Sequence, residues 1–396
     1  MIYCAAAGLC SALGHNLQET ATNLAAGHAP GMWLRDGWLQ DGRLAMLGGV
    51  EGDLPPMPDA WTRHDSRNNR LLLQALGQIH AEVEASVRRF GRARVAVVLG
   101  TSTSGLDESD RHYSRVVGAA GADEGGNGPD GYHYEQQELG DPSRFLSGHL
   151  GLIGPAYTVS TACSSSARAI ISGYRLIAAG LADAALVGGA DTLSRMPING
   201  FDSLELLCTD LCQPFARDRR GINIGEGAAL MLLTREPHAV AILGIGESSD
   251  AWHMSAPHPE GAGAVRAMRM ALQGAGLPAS EIAYINLHGT ATQANDQVEA
   301  QAVAQVFGTR TPCSSVKPLM GHTLGAAGAC EATLCWLLLT QPLALPAQDF
   351  SRSPLDDRLP SFGLLQAPGL LQRPFIMSNA FAFGGNNTSL ILGAAS

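Results

Sequence analysis

Residues 158–170 read TVSTACSSSARAI. β-Branched residues lead in and a run of small residues turns the chain. Ala167, Ile170, Ile171, Tyr174, Ile177 and Ala178 then fall on one face at helical spacing. The stretch is a strand end, a turn carrying Cys163, and a buried helix. Residues 320–329, MGHTLGAAGA, repeat the turn and the small-residue helix, with His322 at the turn. Upstream, VLGTSTSG (98–105) has a counterpart in NLHGTATQ (286–293), each after an apolar run. Laid over one another, the two halves match Cys163 with His322 and Leu99 with His288. The chain reads as a duplicated strand–helix unit divided at 1–235 and 236–396. Equivalent strand ends meet at a pseudo-twofold axis, which brings chemically different residues to corresponding places.

Further runs rich in Val, Ile and Leu, at 94–100, 184–189, 228–234, 282–287 and 375–377, read as strands buried on both faces. Their alternation with helical patterns makes this an α/β protein. The opening MIYCAAAGLCSALG lacks a basic leader region and reads as a first buried strand and turn. Residues 119–141, rich in Gly, Asp and Glu, read as a surface excursion. Residues 351–371, punctuated by proline, read as a connection before the last strands.

A chain that is 45% hydrophobic and 16% charged carries a large core and is not disordered. A net charge of −10 argues against nucleic acid as a partner. The cysteines at 4, 10, 163, 208, 212, 313, 330 and 335 include no CxxC pair. That argues against a metal site and, at this length, against a disulfide framework. The longest apolar run, 332–339, is too short to span a bilayer. A soluble, cytoplasmic protein with no membrane attachment is expected.

The chemistry gathers at few positions. Cys163 precedes a helix, where unpaired amides favour a thiolate and lower the thiol pKa; a lone cysteine reads first as inert and buried, and the strand–turn–helix context reverses that reading. His288 and His322 are bracketed by Gly and Thr, and neutral imidazoles there can donate hydrogen bonds to a thioester carbonyl and its enolate. Thr290 and Thr292 alternate on an extended segment, so their hydroxyls point the same way, toward a polar ligand arm or into ordinary strand-end bonding. Gly384-Gly385 makes a tight turn between apolar strands, and the N–H of Phe383 beside it can pair with that of Cys163 as an oxyanion hole. Lys317, the single lysine among 26 Lys and Arg, is a leftover surface residue or marks a place that needs a compact ammonium. The chemistry requires the sulfur to lie within ~6–7 Å of both rings.

Together these stretches resemble the elongating Cys-His-His β-ketoacyl-acyl-carrier-protein synthases of the thiolase superfamily, over nearly the whole chain. TACSSS resembles the nucleophile motif, HGTAT with Asp296 the first histidine motif, and KPLMGHTLGAAGACE the second. PFARDRRGINIGEGAA (214–229) and FAFGG are similar to two further family segments. The resemblance implies a thiolase-like fold of two duplicated α/β halves in a five-layer α-β-α-β-α arrangement, in a homodimer or a heterodimer with a related subunit. It implies acyl transfer from acyl carrier protein to Cys163, then decarboxylative condensation with malonyl-carrier, with no metal or organic cofactor. His288 and His322 would act on the malonyl thioester. The amides of Cys163 and Phe383 would hold the oxyanion. Lys317 and Glu331 would pair in support of His322, and Thr290, Thr292, Phe383 and Gly384 would contact substrate. Ala382, Gln293, Ile222 and Asn386-Asn387 depart from the family pattern, which bears on acyl specificity. INLHGTAT and FAFGG are closer to synthases of specialised polyene-type pathways.

An acidic carrier needs a positive landing site. Arg63, Arg67 and Arg70 stand at i, i+4, i+7 spacing on one helix face, and Arg217, Arg219 and Arg220 form a second candidate cluster. Rival readings are a thiolase, which needs a second cysteine at the glycine turn where Phe383 stands; a chain-length subunit, which usually lacks the nucleophile; and a carrier-binding module without turnover.

Overall fold

The structure is a computed structural model describing residues 1–118 and 131–394. The proposed excursion at 119–141 therefore lies mostly outside the described residues. Ten strands form the principal sheet: β1 (Ile2–Ser11), β2 (Val95–Gly100), β3 (Ala156–Val159), β4 (Ala184–Asp191), β5 (Gly227–Thr234), β6 (Val240–Ser249), β7 (Tyr284–Asn286), β8 (Cys313–Ser314), β9 (Phe375–Ala382) and β10 (Asn386–Ala394). Their order is β8-β7-β9-β10-β6-β1-β5-β4-β2-β3. Read outward from the centre, the first five strands run in the same order as the second five. The halves join where β1 pairs antiparallel with β6, Tyr3 opposite Ala241. Residues 351–371 contain no helix or strand, in keeping with a connection.

The helices that pack on the sheet are α1 (Arg67–Gly77), α2 (His80–Phe90), α3 (Asp141–His149), α4 (Ser165–Ala178), α5 (Ala262–Ala275), α6 (Gln293–Phe307) and α7 (Ala327–Thr340). Strands buried on both faces divide their side chains between cores by the period of two. On β5, Leu230 and Leu232 join α1, α2 and α3 in one core, while Met231 and Leu233 join α4 and α7 in another. On the second half, Ile285, Met377 and Ile391 pack with α5 and α6. The layers are thus α1–α3, five strands, α4 with α7, five strands, and α5 with α6: the thiolase-like arrangement.

The middle layer positions the site. α4 buries Ala167, Ile170, Ile171 and Ile177 as the spacing predicts, but Ala178 ends the helix exposed. α4 and α7 touch without room for a side chain between them. A Cβ on Gly328 would lie 2.8 Å from the Ala167 amide nitrogen, and Ala329 N donates to Ser166 Oγ at 2.9 Å. This close approach sets the turns ahead of the two helices side by side.

The strand registers, and the numbering of the stretches 98–105 and 286–293 itself, correct one detail of the overlay. Asp191 and Ala382 hold equivalent places opposite Gly227 and Asn386. Four residues back, Val187 and Ser378 pair with Val98 and Asn286. His288 therefore corresponds to Gly100, not to Leu99. Gly100 takes no side chain because the backbone of Ser165 and Ser166, at the start of α4, sits against it.

Candidate active site

Cys163 lies two residues before α4, and His322 two residues before a 3-10 turn, Leu324–Ala326, that runs into α7. Ala162 adopts φ 51, a left-handed conformation costly for a side chain with a Cβ, which swings Cys163 inward. The sulfur is 3.0 Å from Nε2 of His322. One ligand atom each from Cys163, His288 and His322 lie within 4.8 Å of one another. The imidazoles meet edge to face, centroids 5.2 Å apart at 84°. The three groups named from the sequence converge, from opposite halves of the duplicated sheet.

Burial governs their protonation. It pushes the Cys163 thiol up to about 12, against the opposing pull of Lys317 and the N–H groups of Phe383 and Cys163 itself. The thiolate expected at a helix N-terminus is thus overturned: desolvation outweighs the helix-end amides. Burial also holds His288 and His322 well below the usual imidazole range, with the Lys317 ammonium pushing the same way. At neutral pH the site is a thiol beside two neutral imidazoles. Nδ1 of each ring is buried without a protein partner among the described residues. The three donors have the reach of a metal site, but each ring lacks the acceptor on its far side that orients a metal-bound histidine.

Lys317 is no surface residue. It and Glu331 are each 1% exposed and paired, and Nζ also donates to the His288 carbonyl at 2.8 Å. Asn286 Nδ2 donates to the other Glu331 oxygen at 3.2 Å. The single ammonium therefore ties the strand before His288 to α7, which follows His322.

Two carboxylates on α6 shape the histidine loop. Glu299 accepts from His288 N and Gly289 N, both at 2.7 Å; Asp296 accepts from Ala291 N at 3.1 Å and Phe215 N at 2.7 Å. Ala291 has φ 65, so the segment is turned and not extended as expected. The hydroxyls of Thr290 and Thr292 still meet, 3.1 Å apart, and Thr292 caps α6. Sequence reasoning missed Glu299, although its i, i+3 spacing from Asp296 placed both on one helix face. It also missed Asp191, whose carboxylate accepts from Thr101 Oγ1 and Gly325 N, each at 2.5 Å, and from Thr103 N at 2.8 Å.

A cavity opens over the three groups, lined also by Thr290, Thr292, Phe383, Leu206 and Ile222. The Phe383 ring leans on Phe201, centroids 5.5 Å apart. Gly384, at φ 79, donates its N–H to Met254 O at 2.7 Å. Ala382, one of the departures from the family pattern, has φ −115, which any residue adopts.

Two domain models match the chain: the β-ketoacyl synthase N-terminal domain over 62–239 and its C-terminal domain over 239–351. Nodulation protein E of Rhizobium meliloti (strain 1021) is 30% identical over 384 residues, 89% of this chain and 92% of that one. The 3-oxoacyl-[acyl-carrier-protein] synthase 2 of Vibrio cholerae serotype O1 is 30% identical over 83% of this chain and 84% of its own. A chain in the structure of the ketosynthase ApeO in complex with its chain length factor ApeC, from Xenorhabdus doucetiae, is 63% identical, with a TM-score of 0.96 over 100% of this chain and 98% of that one. This chain belongs to the β-ketoacyl synthase family.

The synthase does not present the arginine face read from residues 63–70. Ser66 caps α1, so Arg63 lies outside it and pairs with Glu135 at 2.7 Å. Arg67 forks onto buried Glu226 at 2.5 and 2.8 Å, and Arg70 pairs with Asp65 at 2.6 Å. Arg217 pairs with Asp357 at 2.8 Å. Arg219 is buried and bound to Asp356 at 2.7 Å, which removes it from any docking surface. Arg220 stays exposed. So does Arg352, which the sequence reading passed over; it donates only to Leu211 O, at 2.5 Å. Among the described residues neither forms a direct ion pair, although the Arg352 charge adds to the Ser351 hydrogen bonds that hold the Asp349 carboxyl below its usual range. No helix among the described residues is long and apolar enough to cross a membrane.

Proposed function

We propose that this β-ketoacyl synthase carries the growing acyl chain on Cys163 and extends it by two carbons from malonyl-carrier. The convergence of one sulfur and two neutral imidazoles within 4.8 Å carries the reading. The Cys163 sulfur attacks the thioester of an acyl-carrier, its proton passing through His322 Nε2 to the departing carrier sulfur, which leaves as the thiol and returns the imidazole to neutral. Malonyl-carrier then enters over Thr290 and Thr292. Its carboxylate departs as CO2, and the electron pair left behind spreads onto the thioester oxygen, held by N–H groups of His288 and His322. Neutral imidazoles suit this step, because they donate without adding a charge that the buried site would have to solvate. The carbanion attacks the Cys163 thioester. A C–C bond forms, the amides of Cys163 and Phe383 hold the oxyanion, and the C–S bond then breaks with its electron pair on the Cys163 sulfur, which takes up a solvent proton to restore the thiol. Every group needed is a side chain, an amide or a carrier-borne thioester, so the reading requires no resident cofactor.

The partners proposed are acyl and malonyl carrier protein and a related ketosynthase-like subunit. The ApeO–ApeC complex, whose chain is 63% identical, supports the second. Edge strand β3 offers a seam, with Tyr157 39% and neighbouring Ile153 75% exposed. The intact triad favours the catalytic half of such a pair over the chain-length half. All eight cysteines are free, which supports a reducing cytoplasmic location.

Intact-mass measurement after mixing with an acyl-carrier tests the reading. An acyl adduct that disappears in Cys163→Ala, and a product two carbons longer once malonyl-carrier is added, are expected. An unmodified wild-type chain would sink it.

A further inference from the structure

Asn223 is a buried polar residue that no step above uses. It is 1% exposed and stands between the catalytic histidine and the cavity wall. Toward His322, its carbonyl accepts from His322 N at 2.7 Å, and Gly225 N donates to His322 O at 2.9 Å, so the histidine's peptide is gripped at both ends. Toward the wall, its carboxamide is fully engaged. Oδ1 accepts from Cys212 N at 2.6 Å, and Nδ2 donates to Cys208 O at 2.9 Å and Asp210 O at 2.8 Å. The residue before it, Ile222, exchanges bonds with Leu206 O and Cys208 N, both at 2.8 Å. Ile222 and Leu206 both line the cavity.

The His322 ring is unusually dependent on its backbone. Among the described residues its Nδ1 has no protein partner, and its Nε2 meets only the Cys163 sulfur, at 3.0 Å. A metal-bound or triad histidine is steered by an acceptor on the far ring nitrogen; here the placement of the peptide does that work.

We propose that Asn223 is a positioning residue for the condensation. Its backbone fixes the peptide that aims His322 at Cys163, and its carboxamide locks that backbone to the 206–212 wall, so imidazole and wall hold one geometry. The proposal rests on the pairing of Cys163 with His322 read above. It adds that a residue touching neither substrate nor sulfur controls that pairing.

Acyl transfer from an acyl-carrier to Cys163, followed by intact mass with Cys163→Ala as the blank, tests it in a double-mutant cycle. Asn223→Leu keeps the shape and removes all three carboxamide bonds. Transfer is expected to slow by roughly tenfold or more, since small misplacements of a reacting pair carry costs of that order. In a His322→Ala background the same substitution should change the rate by less than about twofold, because the group it acts through is gone. An equal loss in both backgrounds, or no loss in either, overturns the proposal. If Asn223→Leu does not melt cooperatively, Asn223→Asp keeps the acceptor for Cys212 N and loses both donors; the same cycle is then read, and independent effects again overturn it. A wild-type chain that takes up no acyl group on Cys163 would remove the Cys163–His322 reading itself, and the proposal with it.

Discussion

The sulfur of Cys163 and Nε2 of His322 sit 3.0 Å apart as a neutral pair. Burial lifts the thiol to about 12 and holds the imidazole well below its usual range, so neither proton state of an ion pair is favoured in the free enzyme. A thiolate–imidazolium couple would show a reactive plateau near neutrality. The neutral pair predicts that Cys163 alkylation in the free enzyme keeps rising through pH 9, by about tenfold per unit. A plateau near pH 7 would contradict the assignment. In this reading the thiol is activated when acyl-carrier fills the cavity.

Lys317 and Glu331 form the buried ion pair beneath the histidines. Removing one partner strands a charge that burial already disfavours, since Glu331 is pushed up by desolvation. Lys317→Met should cost about 3–5 kcal/mol of unfolding free energy by denaturant titration. Much of that should return in Lys317→Met/Glu331→Gln, where no charge remains. Lys317→Arg should not rescue, because a planar guanidinium needs more room than an ammonium that is 1% exposed and shared with the His288 carbonyl. A stable Lys317→Met single variant would contradict this account.

Folding raises the Glu299 carboxyl from 4.5 to about 7, chiefly by burial, with the two amide donors opposing. The folded chain therefore binds this proton more tightly than the unfolded chain. The resulting stability is full below about 4.5 and is lost as pH rises toward about 7. Asp296, raised from 3.8 to about 6, acts in the same direction. Glu299→Gln should flatten the fall in melting temperature across that window. It should also cost about 1–3 kcal/mol at every pH, because a carboxamide NH2 would face one of the two amide donors. An unchanged slope would show that Glu299 does not titrate there.

The residues legible in the sequence were those whose local surroundings were unusual. Cys163, His288 and His322 each sit at a turn among small residues, so short stretches mark them. Asn223, Asp191 and Glu299 are ordinary residues in ordinary stretches. For Asp191 and Asn223, function depends on partners such as Gly325 and His322, about a hundred residues or more away in the chain. The thiol pKa was misjudged because a helix N-terminus is visible in a sequence, while the depth of burial that outweighs it is a tertiary property. The arginine face failed for a local reason. Spacing across 63–70 assumed one continuous helix, but Ser66 Oγ accepts from Asn69 N at 3.2 Å and starts the helix after Arg63.

The corrected charge map makes the last prediction. Arg67 is committed to Glu226, which is 1% exposed and also accepts from Val50 N at 2.9 Å. Arg67→Glu would set two carboxylates against each other in a buried place. It should lower the melting temperature and reduce turnover alike with carrier-bound and small-molecule thioesters. Arg220 and Arg352 are exposed, form no direct ion pair among the described residues and flank the loop at Cys208, where both charges oppose the burial that raises its thiol pKa. That loop adjoins Leu206 and Ile222 on the cavity wall. An anionic carrier approaching the cavity meets these two guanidiniums without having to break an existing pair. Arg220→Glu/Arg352→Glu should therefore raise the KM for acyl-carrier by about tenfold or more, an effect that shrinks as salt is added. The rate with a small acyl thioester should stay within about twofold of wild type, since neither side chain reaches the sulfur. Equal losses with both substrates, or a salt-independent loss, would place the carrier elsewhere on the synthase.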